Sequence, residues 1–85
     1  MREFSYTITD EIGLHARPAG QLAKQVKAYE STVTISCGER KAAMKKLMAV
    51  MAMAVKQGET VTVTIEGPDE DKAAEELEQY FRENV

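Results

Sequence analysis

His15 and Arg17 are the residues whose types and spacing most directly suggest chemistry in this sequence. They lie in the segment GLHARPA, residues 13–19, just before a predicted helix in which Pro18 takes the first position. Backbone N–H groups at a helix start have no partner within the helix, and the helix dipole there favours an anion. The same dipole disfavours an imidazolium, so we expect His15 to be neutral and therefore nucleophilic.

Arg17 supplies a planar fork of hydrogen-bond donors that suits the oxygens of a phosphate. A nucleophile, backbone N–H donors and a cation thus lie together between His15 and Arg17. These are the groups needed to hold a phosphoryl group on a ring nitrogen. The residues alone leave a second interpretation open, in which a solvent-exposed loop histidine merely neighbours an unrelated arginine.

Other potential sites in the sequence are weaker. Cys37 is the only cysteine, and it alternates with Val33 and Ile35 on the apolar side of a predicted strand, which favours a role as a small core residue. A single cysteine also excludes an internal disulfide and a zinc site built from cysteines. The acidic residues within 66–71 could suggest a cation site, but we favour a charged helix start with solvated neighbours.

Three segments alternate apolar and polar residues with the period of two that is typical of half-buried strands. A fourth, short strand is predicted over Arg40–Ala43, after a tight turn at Gly38. Because the strands alternate, we expect helices on one face of the sheet and water on the other, in a two-layer antiparallel α+β arrangement. The apolar positions of the three alternating segments are Phe4, Tyr6 and Ile8; Val33, Ile35 and Cys37; and Val61, Val63 and Ile65.

Three helices are predicted between and after these strands, which makes the order β-α-β-β-α-β-α. The second, residues 47–55, consists of good helix formers and ends before Gly58. The third follows a turn that places Asp69 as its N-cap, with Glu70 and Asp71 complementing the helix dipole. The first and third helices carry apolar stripes, formed by Ala19, Leu22, Ala23 and Val26 and by Ala73, Leu77, Tyr80 and Phe81.

Length and charge describe a small acidic domain. The 85 residues suffice for one core, so we predict a single domain over residues 1–85. Eleven Lys and Arg against fourteen Asp and Glu give a net charge of −3, which argues against nucleic acid and anionic membranes as partners. We see no signal peptide. As a helix, residues 47–55 would span about 14 Å of a bilayer core of roughly 30 Å. We therefore expect a cytoplasmic protein without direct membrane insertion.

The segment GLHARPA closely resembles the phosphorylation-site motif of the HPr family. These proteins are the histidine-containing phosphocarriers of the bacterial phosphoenolpyruvate-dependent sugar phosphotransferase system. The resemblance extends along the chain to its length, its element order, residues 45–51, the pair Gln57-Gly58 and the helix entry at residues 67–70. A seven-residue match at the expected distance from the N-terminus is highly specific.

The resemblance implies an open-faced β-sandwich, with a four-stranded antiparallel sheet of order 1-4-2-3 and three helices on one face. It implies that His15 accepts a phosphoryl group on Nδ1 from phosphorylated enzyme I and passes it to a histidine of an enzyme IIA domain. Arg17 would stabilise the phosphate, and the N–H groups of Ala16 and Arg17 would bind its oxygens. The protein would be a stoichiometric carrier and not an enzyme, with no metal or bound cofactor. Its small size and acidic charge favour a monomer.

The resemblance also implies that partners dock around His15 on the exposed faces of the first two helices. Flexible methionines suit a surface that fits more than one partner, and basic residues there could steer an acidic protein toward acidic docking sites. Met44 and Met53 are predicted to lie in the core instead. The residues predicted to bind partners are Pro18, Ala19, Gly20, Lys24, Lys27, Lys45, Leu47, Met48 and Met51.

Lys46 is a departure from part of the family. Members of the Gram-positive type carry at that position a regulatory serine, which an ATP-dependent kinase phosphorylates. Lysine cannot be phosphorylated in this way, so we expect no such switch. The ammonium of Lys46 either assists phosphohistidine or partner binding, or is a solvated charge without a role. Ala52 and Ala54 stand where the family often has serine and glycine, and by propensity they favour a longer second helix.

Two other functions stay open at the level of sequence. A paralogue could use the same histidine in a regulatory phosphorelay, linked to nitrogen or other metabolism, since the two roles differ in partner and not in site. A binding module could instead hold an anion at the helix start without phosphorylation. The presence of His15 argues against this module, because an anion site needs only the N–H groups and Arg17.

Overall fold

Residues 1–85 are described by a computed structural model, and they form the predicted order β-α-β-β-α-β-α. Periodicity predicted β1, β2, β4, α1 and α3, whereas the turn at Gly38 predicted β3 and helix propensity predicted α2. The elements are β1 (Arg2–Thr7), α1 (Ala16–Val26), β2 (Thr32–Cys37), β3 (Arg40–Ala43), α2 (Leu47–Ala52), β4 (Thr60–Glu66) and α3 (Glu70–Asn84).

The strands form one four-stranded sheet in the order β1-β4-β2-β3, and every neighbouring pair is antiparallel. Val63 in β4 is paired with Phe4 of β1 on one side and with Ile35 of β2 on the other. Valine and isoleucine side chains of β2 and β4 are buried on one face. The opposite face is rich in threonine, where the hydroxyls of Thr7 and Thr60 lie 2.9 Å apart. The predicted open-faced, two-layer α+β fold is confirmed.

The core lies between the buried face of the sheet and the helices. Phe81 of α3 is fully buried and packs edge-on against the rings of Phe4 and Tyr6, with ring centroids 5.7 Å apart in both pairs. The thiol of Cys37 is buried on the same face of the sheet, as predicted. Met44 and Met53 are buried as well, which confirms their assignment to the core.

Helix α1 begins two residues earlier than predicted, at Ala16, so that Pro18 is the third helical residue and not the first. His15 is the N-cap, with extended backbone angles of φ −112° and ψ −176°. Proline is tolerated here because none of the first three N–H groups of a helix has a partner within the helix. The periodicity of apolar residues could not distinguish these starts, since Ala16 and Arg17 are both exposed.

Helix α2 is shorter than predicted, because it ends at Ala52 and does not reach Val55. Ala54 adopts a positive φ of 51°, which turns the chain out of the helix. The turn buries both Met53 and Val55, and it leaves the Val55 carbonyl to accept a hydrogen bond from Leu14 N–H at 3.0 Å. The longer helix favoured by the alanines was therefore wrong, since tertiary contacts override propensity here.

Candidate functional site

His15 sits at the start of α1 with its side chain 31% exposed. Its Nε2 atom lies 3.6 Å from Oδ2 of Asp10, the one carboxylate in ion-pair range of the ring. Nε2 is therefore the ring nitrogen that faces a carboxylate, whereas no carboxylate lies within ion-pair distance of Nδ1. The site thus offers one ring nitrogen as a potential nucleophile.

Asp10 is held in place by the turn that precedes His15. Its Oδ1 atom accepts a hydrogen bond from Ile12 N–H at 2.9 Å, and its carbonyl accepts one from Gly13 N–H at 2.9 Å. Its own N–H donates to the Val85 carbonyl oxygen at 2.8 Å. The second carboxylate oxygen, Oδ2, is consequently left for His15.

The first backbone N–H groups of α1 are free. The first hydrogen bond of the helix runs from Ala19 N–H to the His15 carbonyl at 3.0 Å. Ala16 and Arg17 N–H make no hydrogen bond within the protein, and Pro18 has no N–H to offer. The helix start therefore presents its donors beside the histidine, where an anion is favoured.

Arg17 is exposed and has no carboxylate partner; the ion pairs of arginine and lysine involve only Arg2, Arg40 and Arg82. Partial burial raises the pKa of the Tyr80 hydroxyl, and the positive charge of Arg17 opposes that rise. The guanidinium thus lies within electrostatic range of Tyr80 in α3, and no carboxylate of the protein neutralises it.

The loop before His15 is anchored to the segment that follows α2. Gly13 has φ +80°, and a Cβ atom there would lie 2.4 Å from the Val55 carbonyl oxygen. Only glycine fits, both for the backbone angle and for the close approach. Since Leu14 N–H also bonds to the Val55 carbonyl, the histidine and the end of α2 are held together.

The predicted partner-binding residues divide into exposed and buried groups. Helices α1 and α2 pack against each other, and the side chain of Met48 is 78% exposed, with Leu47 also exposed and Met51 half-buried. Four lysines of this region are exposed and lie in no ion pair. They are Lys24, Lys27, Lys45 and Lys46.

Pro18 and Ala19 were expected on the partner surface, but both are buried, and Ala19 is only 1% exposed. The reason lies in the apolar stripe of α1: the periodicity that predicts the stripe turns Ala19 toward the core. Gly20 is half-buried, and no atom lies within 4 Å of where its Cβ would be. The surface near His15 therefore contains Gly20 but not the side chain of Ala19.

His15 lies on an open surface and not in a deep pocket. A cavity of about 360 Å³ lies at the opposite end of α1, lined in part by Lys27, Tyr29 and Lys45.

No group of three or more His, Cys, Asp or Glu side chains is arranged to hold a metal ion. None of the helices combines the length and apolar character needed to cross a bilayer.

Asp10 is a residue of the site that sequence reasoning missed. The available signal was local, since an aspartate whose side chain binds the N–H two residues later is a common turn former. That pattern predicts a fixed carboxylate just before the histidine. It does not predict that the second oxygen faces the imidazole, because this depends on how the loop folds back.

An open-faced sheet that presents a histidine at a helix start defines a class of small phosphocarrier proteins. The family model described as PTS HPr component phosphorylation site matches residues 2–83. The phosphocarrier protein HPr of Mycoplasma capricolum is 44% identical over 79 residues, or 93% of this chain and 89% of that protein. A solved structure of the histidine-containing phosphocarrier protein of mycoplasma has a TM-score of 0.91 and 43% identity, covering 93% of this chain and 90% of the other. The chain belongs to the HPr family.

Solved structures of relatives include a dimer. The solved HPr dimer from Thermoanaerobacter tengcongensis has a TM-score of 0.76 and 30% identity, and it covers 98% of this chain and 95% of the other. The expected monomer therefore stays a prediction for the present protein.

Proposed function

We propose that this protein is a stoichiometric phosphocarrier in which His15 accepts a phosphoryl group on Nδ1 from phosphorylated enzyme I. It then passes the group to a histidine of an enzyme IIA domain. The observation that carries the proposal is the helix start itself: in an HPr-family chain, His15 caps α1 beside the unpaired N–H groups of Ala16 and Arg17. The alternative of a loop histidine beside an unrelated arginine does not account for the match of residues 2–83 to the phosphorylation-site family model.

In the proposed reaction, the Nδ1 lone pair attacks phosphorus while the bond from phosphorus to the donor atom of enzyme I breaks, and the donor keeps that electron pair. The N–H groups of Ala16 and Arg17 and the guanidinium of Arg17 bind the phosphoryl oxygens as charge develops on them. Transfer to the acceptor reverses these steps. The phosphoryl group is cargo, so the reaction requires no metal and no organic cofactor.

The partner surface proposed for both transfers surrounds His15 on α1 and α2. Exposed Met48 and Leu47 provide an adaptable apolar centre. The lysines of this surface, together with Arg17, are free of intramolecular ion pairs, so docking on an acidic partner need not break any. Lys27 and Lys45 lie at its far end, where they line the cavity at the end of α1 opposite His15. Such unpaired charges speed association with partners of opposite sign. A monomer in the cytoplasm is the form we propose for this carrier.

Lys46 replaces the regulatory serine in this proposal, so no kinase switch operates. Lys46 is the N-cap of α2 and makes no capping hydrogen bond through its side chain. Its charge is opposite to that of a phosphoserine at the positive end of the helix. Incubation with such a kinase and labelled ATP should leave the protein unlabelled, and stoichiometric labelling would contradict this part of the proposal.

The test of the carrier function is phosphoryl transfer from phosphoenolpyruvate through enzyme I, followed by intact mass. We expect the gain of one acid-labile phosphoryl group and no gain in His15→Ala. Arg17→Ala should be phosphorylated more slowly, whereas Arg82→Ala, which removes an arginine from the exposed end of α3, should match the parent. No gain with an active cognate enzyme I would overturn the carrier function and favour an anion-binding module.

A further inference from the structure

Asp10 faces the ring nitrogen of His15 that the proposed reaction leaves free of phosphorus. We propose that Asp10 is a positioning residue, which holds the proton of His15 on Nε2 and so keeps the lone pair on Nδ1 toward the start of α1. The inference rests on the proposed function, since it assigns Nδ1 as the atom that reacts. It adds a residue from the loop before the histidine to the groups at the helix start.

The geometry supports a fixed role for this carboxylate. Oδ1 is bound by Ile12 N–H, and the backbone of Asp10 is bound on both sides, by Gly13 N–H and by the Val85 carbonyl. Only Oδ2 is left without a hydrogen bond in the protein, and it points to Nε2 at 3.6 Å. Both side chains are about equally exposed, at 31% and 29%, so each is partly shielded from water.

The distance of 3.6 Å is longer than a hydrogen bond, and it suits a contact that tightens during the reaction. As Nδ1 bonds to phosphorus, the ring keeps its Nε2 proton and gains one unit of positive charge. The donor atom of enzyme I takes the electron pair of the broken bond, so the reaction is balanced without another reactant. The carboxylate of Asp10 then faces a cationic ring, and the attraction is stronger after transfer than before.

No other carboxylate lies within ion-pair distance of His15. The nearest positive group along the chain is Arg17, which is assigned to the phosphoryl oxygens. The carboxylate thus faces Nε2, and the proposal assigns the phosphoryl group to the other ring nitrogen. This arrangement gives each ring nitrogen a distinct role: one keeps a proton and the other bonds to phosphorus.

The test uses Asp10→Asn, which retains an oxygen for Ile12 N–H but removes the charge and can donate to the ring. The matched control is Glu11→Gln, which removes an exposed carboxylate from the next position of the same turn. The ring ¹⁵N chemical shifts of the unphosphorylated proteins report which nitrogen carries the proton. We expect the Nε2–H form in the parent and in Glu11→Gln, and an increased fraction of the Nδ1–H form in Asp10→Asn.

The second measurement is the rate of phosphoryl acceptance from enzyme I. With Asp10→Asn as the acceptor, the kcat of enzyme I should fall roughly tenfold, the effect expected when one charge-assisted hydrogen bond is removed from the transition state. The KM of enzyme I for this protein should be unchanged. Asp10→Glu, which restores the charge, should recover part of the rate. A purely structural role in the turn would leave the ¹⁵N shifts of His15 unchanged in a folded Asp10→Asn, and that result would overturn the proposal.

The ¹⁵N shift measurement and the phosphoryl-transfer measurement separate the role of Asp10 from the proposed carrier function. The ¹⁵N measurement needs no partner, so it decides the role of Asp10 even when no phosphoryl group is transferred. Failure of the parent to gain mass from an active cognate enzyme I overturns the carrier function. Altered shifts combined with an unchanged kcat would overturn the assignment of Asp10 to the reaction.

Discussion

The carboxylate of Asp69 accepts hydrogen bonds from both the backbone and the side chain of Ser31. Oδ1 accepts hydrogen bonds from Ser31 N–H, at 3.0 Å, and from the Ser31 hydroxyl, while Oδ2 accepts one from Glu30 N–H at 2.9 Å. Asp69 occupies the N-cap position of α3 as predicted, but its side chain makes no hydrogen bond to that helix. It joins the loop between α1 and β2 to the start of α3 instead.

Acid should weaken the fold through this contact. Hydrogen bonds from Ser31 and Glu30 lower the pKa of Asp69 below its ordinary 3.8, and those from Lys56 and Arg40 lower the pKa of Glu59 below 4.5. The stability that these carboxylates contribute is fully present above their ordinary values and is lost as pH falls through the lowered ones. We expect Tm to be level near neutral pH and to decrease below about pH 4. Thermal melts from neutral to strongly acidic pH measure this.

Asp69→Asn isolates one of these carboxylates. It should lower Tm at neutral pH by roughly 5–10 °C and reduce the difference between the melts at neutral and acid pH. Asp71→Asn is the matched control, because Asp71 is exposed and binds only the exposed Arg2. An Asp69→Asn variant that lost as much stability in acid as the parent would contradict this origin of the acid sensitivity.

Ala54→Gly should stabilise the protein. Ala54 has φ 51°, a conformation that costs a residue with a Cβ about 1–2 kcal/mol. Glycine removes this cost, against a smaller loss of about 0.5–1 kcal/mol from the greater freedom of the unfolded chain. Ala52→Gly, at the last residue of α2, should instead destabilise by up to about 1 kcal/mol. Chemical denaturation that gave both variants the same sign would contradict the interpretation.

Gly13→Ala should be far more damaging than the same change at Gly58. Both glycines have similar angles, φ +80° and φ +88°, but a Cβ at Gly58 meets no atom within 4 Å. Gly58→Ala should therefore cost about 1 kcal/mol from the backbone angle alone, whereas Gly13→Ala must also displace the chain at Val55. We expect unfolding free energies that differ by more than about 1 kcal/mol. Equal losses would show that the loop moves freely.

Arg40 should be the arginine whose loss most affects stability. Its Nη1 donates to the Met53 carbonyl at 2.7 Å, its Nε donates to the Cys37 carbonyl at 3.3 Å, and its Nη2 binds the carboxylate of Glu59. Arg40→Met removes these donors, so the Met53 carbonyl and the Glu59 carboxylate lose their hydrogen bonds from Arg40. We expect a decrease in Tm of roughly 5–10 °C. Arg82→Met removes only an exposed pair within α3, and its Tm should match the parent.

The sequence patterns predicted the elements, and the family resemblance predicted the order of the sheet. Neither predicted the details that depend on how the loops fold back, and the reaction assigned to His15 stays a prediction. Alternation of apolar and polar residues located β1, β2 and β4, because every second side chain of a half-buried strand faces the core. The predicted end of α2 was wrong because alanine is a good helix former. Ala54 instead takes a positive φ, which allows the side chains of both Met53 and Val55 to be buried. Likewise, the contact from Asp10 to His15 requires the three-dimensional path of a loop, which no pattern in the chain encodes.

The position of β4 in the sheet has a consequence for how the chain folds. Only β2 and β3 are neighbours both in sequence and in the sheet; β4 must insert between β1 and β2. The pairing of Phe4 with Val63 therefore closes a long loop, and such non-local contacts slow folding relative to a helical bundle. During synthesis β1 emerges well before the strand it pairs with. Until β4 emerges, Phe4 and Tyr6 have no partner strand, so the apolar side of β1 is exposed to other chains.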